Sequence, residues 1–244
     1  MKIKRFVCNA FQENAYVVSE GTDCIIIDPG FTGGELPALY DYLAAEGLTP
    51  SAILLTHSHP DHTCGLQPLV ERFGIPVFSA RAEKQPDSCQ KHVFSAARAE
   101  KQPDSCQKHG FSAARAEKQP DSCPAETDAF PAEPFSGEDG NDAGGASFQV
   151  IATPGHTPDS VCYYSEKDAV LFTGDTLFAG TIGRTDLPGG NYDDEIRSIM
   201  EKLIFLPGET TIYPGHGPQS TIARERIQNP FLEPFNEREE LDLD

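Results

Sequence analysis

The sequence predicts a layered α/β fold. Nine short runs rich in β-branched and aromatic residues, each bounded by Gly, Pro, Asp or Ser, indicate strands. Two stretches within them, residues 25–27 and 53–55, are apolar at every position, which is typical of strands covered on both faces. Apolar stripes at helical spacing lie between some of the runs and can supply that cover. Sheets whose outer faces carry helices form a layered α/β arrangement.

The predicted strands and helices follow one another along most of the chain. The predicted strands are residues 3–7, 15–19, 24–28, 52–56, 76–79, 148–153, 161–165, 169–174 and 210–214. Apolar residues spaced three and four apart indicate three helices. These stripes are Leu36, Leu39, Tyr40 and Leu43; Leu66, Leu69, Val70 and Phe73; and Tyr192, Ile196, Ile199, Met200 and Leu203. We interpret all three stripes as faces that pack on the core.

The middle of the chain contains a near-perfect tandem repeat with a period of 16 to 17 residues, in copies at 78–93, 94–110 and 111–123. The copies contain almost no Leu, Ile or Val, so they lack the apolar face that stacked repeats bury against one another. We therefore predict a single domain over residues 1–244, with the repeat as an insertion at about 78–123 and an acidic C-terminal tail at about 234–244. A genuine duplication and a sequence error both account for the repeat.

The composition restricts the class of partner. A net charge of −19 disfavours binding to nucleic acid and to anionic membranes. The seven Cys form no closely spaced pairs, which is typical of a reducing compartment rather than a disulfide framework. The sequence shows neither a signal peptide nor an apolar run near the ~20 residues that span a bilayer. These features favour a cytoplasmic protein that acts on a small molecule, and they leave its oligomeric state open.

Good metal ligands are concentrated in Gly- and Pro-rich turns that follow the apolar runs. Every His outside the repeat lies in such a turn, and one further turn of this kind ends in Asp. Ligands at the ends of neighbouring strands can converge above one sheet edge, which is the geometry that a metal site needs. The candidate ligands are His57, His59, Asp61 and His62 in "THSHPDH", His156 after "FQVIATPG", Asp175 after "AVLFTG" and His216 after "TTIYPG".

The spacing within "THSHPDH" supports the metal interpretation. His57 and His59 are two apart, so on an extended segment they face the same way. Asp61 and His62 follow a Pro that turns the chain, so they can point to a second position. Imidazole and carboxylate ligands suit Zn²⁺, Fe or Mn, and the set is too large for one tetrahedral ion and about sufficient for two. A carboxylate such as Asp175 has two oxygens and can bridge two ions.

These segments resemble the metallo-β-lactamase superfamily. "THSHPDH" matches its His-x-His-x-Asp-His signature, and three later segments match its other ligand loops in the right order, namely "TPGHTPDS", "FTGDTLF" and "YPGHGPQST". The resemblance covers residues 1–78 and about 146–233. Within the superfamily the chain is most similar to short glyoxalase II-type (hydroxyacylglutathione hydrolase-like) thioester hydrolases, through "GTIGRTDLPGG" and "GHGPQSTIARERIQNPFL".

The resemblance implies a four-layer αββα sandwich and two divalent metal ions, with zinc as the first choice and iron or manganese as alternatives. It implies that one ion is held by His57, His59 and His156. The other ion would be held by Asp61, His62 and His216, with Asp175 as the bridge. The chain departs from the family at Asp159, where the family usually has Gly, so it carries an extra carboxylate three residues from a predicted ligand.

These observations together predict a metal-dependent hydrolase of a small thioester. A divalent ion lowers the pKa of a coordinated water from about 16 to about 7, so hydroxide can be the nucleophile without a Ser or Cys side chain. We expect Asp61 to orient that nucleophile. Arg184 either binds an anionic group of the substrate or pairs with Asp186 to pin its loop. The alternatives are a sulfur-oxidising enzyme similar to persulfide dioxygenases, with one iron, and a non-enzymatic metal-binding protein.

Overall fold

A computed structural model describes residues 1–79, 133–134, 142–143 and 146–235. These residues belong to one compact unit formed by residues 1–82 and 121–244. The strands are β1 (Lys2–Cys8), β2 (Glu13–Glu20), β3 (Asp23–Ile27), β4 (Thr49–Leu55), β5 (Val77–Ser79), β6 (Glu133–Pro134), β7 (Asp142–Ala143), β8 (Ala146–Ser147), β9 (Gln149–Ala152), β10 (Val161–Ser165), β11 (Val170–Gly174), β12 (Leu177–Phe178), β13 (Thr181–Ile182), β14 (Thr211–Pro214) and β15 (Ser220–Thr221). The helices are α1 (Leu36–Glu46), α2 (Pro60–Thr63), α3 (Leu66–Phe73), α4 (Tyr192–Ser198) with a π-helical continuation (Ile199–Leu203), and α5 (Ile222–Gln228), followed by a 3₁₀ segment (Pro230–Phe235).

The strands form two mixed sheets. The first has the order β1-β2-β3-β4-β5-β6, antiparallel from β1 to β3 and parallel from β3 to β6. The second has the order β15-β14-β11-β10-β9, in which β11 and β14 are the parallel pair. All nine predicted strands occur, and their ends lie within three residues of the prediction. Two short pairs, β7-β8 and β12-β13, complete the described strands.

The alternation of side chains along β2 shows how the layers are built. Ala15 and Val17 point to one face of the first sheet, where they pack in one apolar cluster with Leu39 of α1 and Leu69 of α3. The residues between them, such as Tyr16, belong to a different cluster on the opposite face. The first sheet is therefore covered by helices on one face and by a second apolar cluster on the other.

The second cluster lies between the two sheets. It joins Ile25 and Leu54 of the first sheet to Tyr163 and Phe172 of the second. Residues 25–27 and 53–55 are buried on both faces, as their continuous apolar character predicts.

A third cluster covers the outer face of the second sheet. Leu171 and Ile212 of that sheet pack there with Leu203 of the π-helical segment and Ile222 of α5. The order of layers is helices, sheet, sheet, helices, so the four-layer αββα prediction is confirmed.

The three predicted helices occur, but the stripe of the third is wrong at its first position. Tyr192 is 51 % exposed, whereas Glu195, one turn later on the same helix, is fully buried. The reason is tertiary: the Glu195 carboxylate accepts the backbone N–H of His156 at 2.8 Å and so turns that face of α4 towards the protein.

The predicted insertion at about 78–123 lies outside the described residues except for Phe78 and Ser79, which form the end of β5. The acidic tail at about 234–244 lies outside them beyond residue 235. The single-domain organisation over residues 1–244 therefore stays a prediction. In the part of the chain that the structure describes, no helix has both the length and the apolar character to cross a membrane.

Candidate metal centre

The loop after β4 is fixed at its start by a buried carboxylate. Asp28, directly after β3, accepts the N–H of Thr56 at 2.7 Å and its hydroxyl at 2.6 Å. The Thr56 hydroxyl lies 3.1 Å from Nδ1 of His57. The chain then runs extended to His59, and α2 begins at Pro60, a residue that the first helical position accepts well. After the change from extended chain to helix, Asp61 lies near His216, whereas the ring of His62 stays beside that of His57, with the ring centroids 4.2 Å apart.

One group of candidate ligands consists of three imidazoles, His57, His59 and His156, whose ligand atoms all lie within 4.8 Å of one another. Nδ1 of His59 lies 3.1 Å from Nε2 of His57 and 2.9 Å from Nε2 of His156. Nδ1 of His156 is 2.7 Å from the carbonyl oxygen of Arg184, which only accepts hydrogen bonds. That ring therefore carries a proton on Nδ1, and its Nε2 faces the group.

The second group consists of Asp61, His62 and His216. Oδ2 of Asp61 lies 3.3 Å from Nε2 of His216 and 3.8 Å from Nε2 of His62. Nδ1 of His216 is 3.1 Å from the carbonyl oxygen of Phe11, so this ring also carries a proton on Nδ1 and presents Nε2 to the group. The loop after β14 and the hairpin between β1 and β2 together set its orientation.

Asp175 lies between the two groups. Its Oδ1 is 3.3 Å from Nε2 of His62. Its Oδ2 is 3.6 Å from Nε2 of His156 and 3.5 Å from Nε2 of His216. One carboxylate thus faces imidazoles of both groups, as the sequence predicts for a bridging ligand. The structure brings all seven candidate ligands together at one end of the two sheets.

Buried polar atoms at this point fit a bound cation. Nε2 of His62 and Oδ1 of Asp175 are both buried, and neither has a hydrogen bond of acceptable geometry among the described residues, although they lie 3.3 Å apart. An unsatisfied buried polar atom costs about 1–3 kcal/mol, so such atoms require an explanation. A divalent ion between them would satisfy both, and the imidazole and carboxylate donors are those of Zn²⁺, Fe and Mn sites. The residues present therefore fit a bound divalent metal ion.

The electrostatics of the site also favour cations. Burial lowers the pKa of the His57 imidazole well below 6.5, which keeps it a neutral ligand at pH 7. Burial opposes the charged form of His62 as well, but the carboxylates of Asp175 and Asp28 outweigh that cost and raise its pKa well above 6.5. Burial alone would raise the pKa of Asp175, yet His62 holds it well below its usual range. Carboxylates that stabilise one buried proton here would stabilise a dication more strongly.

Three buried acids support the site without having been predicted. Nδ1 of His62 lies 3.2 Å from Oδ2 of Asp28 and 3.8 Å from Oε1 of Glu13, which is fully buried. Glu195 contacts the loop of His156. Asp28 follows an apolar run and precedes Pro-Gly, the same pattern as the ligand turns, so the sequence carried a signal for it. Glu13 and Glu195 have no such signal, because only the tertiary structure buries them.

The two remaining residues that the sequence singled out lie near the ligands. Arg184 forms a two-point ion pair with Asp186, with both N–O distances at 2.8 Å, and both side chains are exposed. This is the loop-pinning arrangement, and substrate binding by Arg184 stays a prediction. Asp159 is partly buried in the loop after His156.

Comparison with known proteins gives the family. The family model described as the metallo-beta-lactamase superfamily matches residues 8–216. The chain belongs to this superfamily, whose members bind divalent metal ions, and it is a metallo-hydrolase of that class.

Two curated relatives match almost the whole chain. One is named probable metallo-hydrolase YqgX, from Bacillus subtilis; the two are 36 % identical over 237 residues, covering 97 % of this chain and 100 % of the relative. The other is named hydroxyacylglutathione hydrolase GloC, from Haemophilus influenzae; they are 32 % identical, covering 95 % and 98 %.

Two solved structures are similar along nearly their whole length. One is titled BLEG-1 B3 metallo-beta-lactamase, with 34 % identity, a TM-score of 0.73, and coverage of 95 % of this chain and 99 % of that one. The other is titled TTHA1623 in a di-iron-bound form, with 33 % identity, a TM-score of 0.67, and coverage of 94 % and 100 %.

Proposed function

We propose that this chain hydrolyses a small thioester of the hydroxyacyl-glutathione type and that it does so with two divalent metal ions. The observation that carries the proposal is Asp175, whose two oxygens face imidazoles of two separate ligand groups at 3.3–3.6 Å. Similarity to a relative named hydroxyacylglutathione hydrolase supports the choice of thioester. Zinc is our first choice of metal, and similarity to a di-iron structure keeps iron as the alternative.

In this proposal His57, His59 and His156 would hold one ion, and Asp61, His62 and His216 would hold the other. Two such ions would supply Lewis acidity, which activates water near neutral pH and polarises a carbonyl. The presence of both Asp61 and His62 favours two ions over the single iron of the sulfur-oxidising alternative.

The exposed side of the centre determines where a substrate can enter. The side chain of His57 is buried, whereas those of Asp61 and His216 are 19 % and 27 % exposed. His59 is partly exposed as well, so a thioester carbonyl approaches from the side formed by His59, Asp61 and His216. The hydrogen bond from Nδ1 of His216 to the Phe11 carbonyl fixes one wall of this opening. On this side the Asp61 carboxylate can orient the attacking water and accept its proton.

The proposal is tested by His59→Ala, which removes one imidazole from the first group. A lost ligand costs several kcal/mol of transition-state stabilisation, and 1.36 kcal/mol is a factor of about ten, so we expect turnover of a hydroxyacyl-glutathione thioester to fall at least about 100-fold. Asp41→Asn is the control, because Asp41 is an exposed residue of α1. Circular dichroism must show that both variants are folded.

Activity of His59→Ala within a few-fold of the wild type would contradict the assignment. Failure of the metal-loaded wild type to cleave any thioester would contradict the choice of substrate. Oxygen consumption with a persulfide substrate and one bound iron would then identify the sulfur-oxidising alternative.

A further inference from the structure

A buried carboxylate lies directly behind His156. Glu195, in the first turn of α4, is fully buried, and its Oε2 accepts the backbone N–H of His156 at 2.8 Å. The two residues are 39 apart in sequence, so this contact joins α4 to the loop after β9. Glu195 thus holds the backbone, rather than the ring, of a candidate ligand.

The same carboxylate also contacts the segment that holds the ring of His156. A Cβ atom on Gly183 would lie 2.8 Å from Oε1 of Glu195. The next residue, Arg184, provides the carbonyl oxygen that accepts Nδ1–H of His156. A Cβ atom on Gly155 would overlap Glu195 as well, so glycine on both sides lets the two loops close around it. Glu195 therefore contacts both segments that orient this imidazole.

The position of Glu195 is costly for stability alone. A buried carboxylate loses its hydration, and Oε1 makes no hydrogen bond of good geometry among the described residues. Leucine at this position would extend the apolar face that Ile199 and Leu203 form on the same helical segment. A carboxylate that lies in an apolar face and accepts a hydrogen bond from a candidate ligand indicates a role at the metal centre.

We infer that Glu195 is a positioning residue, which fixes His156 and thereby sets the affinity of the ion held by His57, His59 and His156. This inference rests on the metal centre proposed above. Partners of this kind change metal affinity by about 10- to 100-fold when they are removed. The ion held by Asp61, His62 and His216 has no such dependence on Glu195.

The test is a metal titration rather than an activity assay. Full-length protein is stripped of metal and titrated with Zn²⁺ in competition with a chromophoric chelator. We expect Glu195→Leu to weaken one of two ions by about 10- to 100-fold and to leave the other unchanged. Glu195→Gln keeps an oxygen that can accept the His156 N–H, so it should restore affinity to within a few-fold of the wild type.

Glu225 provides a matched control. It is equally buried and accepts the N–H of Gly180 at 2.8 Å and the side-chain amide of Asn229 at 2.9 Å, but it bonds to none of the candidate ligands. Glu225→Leu, the same substitution at this position, should bind both ions as the wild type does. An equal loss of affinity in this control would show general destabilisation and overturn the inference.

Wild-type affinity for both ions in Glu195→Leu would also overturn the inference and leave the proposed function standing. A wild type that binds no ion would contradict the proposed function itself, so the two failures are distinguishable. If Glu195→Leu does not fold, Glu195→Asp decides the question, because it keeps a carboxyl group and withdraws it by one methylene. Wild-type affinities in Glu195→Asp would then refute the positioning role.

Discussion

Gly30 lies where a methyl group has no room. A Cβ atom there would overlap the carbonyl oxygen of Asp61 and a carboxylate oxygen of Glu13, and it would lie 2.7 Å from Cδ of Glu13. The side-chain amide of Asn9 donates to the carbonyl oxygens of both Gly30 and Asp61, each at 2.9 Å, so the two segments are tied together. Gly30→Ala must therefore move the backbone of a candidate metal ligand.

The expected magnitude follows from the contacts. Overpacking a filled site costs about 1–3 kcal/mol, and each kcal/mol lowers the melting temperature of a chain of this size by about 2–4 °C. Gly30→Ala should therefore lower it by about 2–12 °C. Gly33 lies in the same loop, and a Cβ atom there meets nothing within 4 Å. Gly33→Ala should change stability by no more than about 0.5 kcal/mol, or raise it slightly through a smaller unfolded-state entropy.

Calorimetry of both variants with and without metal measures this difference, and the zinc titration gives the second readout. We expect Gly30→Ala also to weaken the ion held by Asp61, His62 and His216. The reasoning would be refuted if Gly30→Ala had the same melting temperature as Gly33→Ala and bound both ions as the wild type does.

Burial raises the pKa of Cys24 and Cys162 to about 12, so about one in 10⁴ of these thiols is ionised at pH 8. Iodoacetamide at pH 8 should therefore label the partly buried Cys64 first among the described cysteines, as located by peptide mass spectrometry. Equal labelling of these cysteines would contradict this expectation. Deletion of residues 94–110 removes one repeat copy with almost no large aliphatic side chains, so metal content should not change and the melting temperature should shift by only a few degrees; loss of a metal ion would assign the repeat a structural role. Removal of the metal should lower the melting temperature by about 8–16 °C if zinc is at about 1,000 times its Kd, because binding then adds about 4 kcal/mol; an unchanged value in a chelator would contradict metal binding by the folded state.

Local sequence pattern was sufficient for most of the fold. The nine predicted strands occur because apolar runs bounded by Gly, Pro and Asp specify buried strands wherever they stand in the chain. The two-residue strands such as β12 and β15 were not predicted, because a strand of that length depends on its pairing partner rather than on its own composition. The single helical turn α2 was missed because four residues are too few to show helical periodicity.

The candidate ligands could be predicted because their chemistry is visible in one dimension. His57 and His59 are two residues apart, which predicts that they face the same way on an extended segment. His156 and His216 each follow a predicted strand. The buried acids behind them could not be found this way. Glu195 even occupies a position where helical spacing predicts a core face, and only its contact with His156, 39 residues away, explains its burial.

We propose that seven ligands hold two metal ions on one chain. The measurement that tests it most directly is the metal content of the full-length protein after reconstitution, determined by mass spectrometry of the metals against protein concentration. We predict a ratio of two Zn²⁺ per chain, with Asp175→Ala lowering it. A ratio of one that does not rise on addition of Zn²⁺, Fe²⁺ or Mn²⁺ would contradict the account.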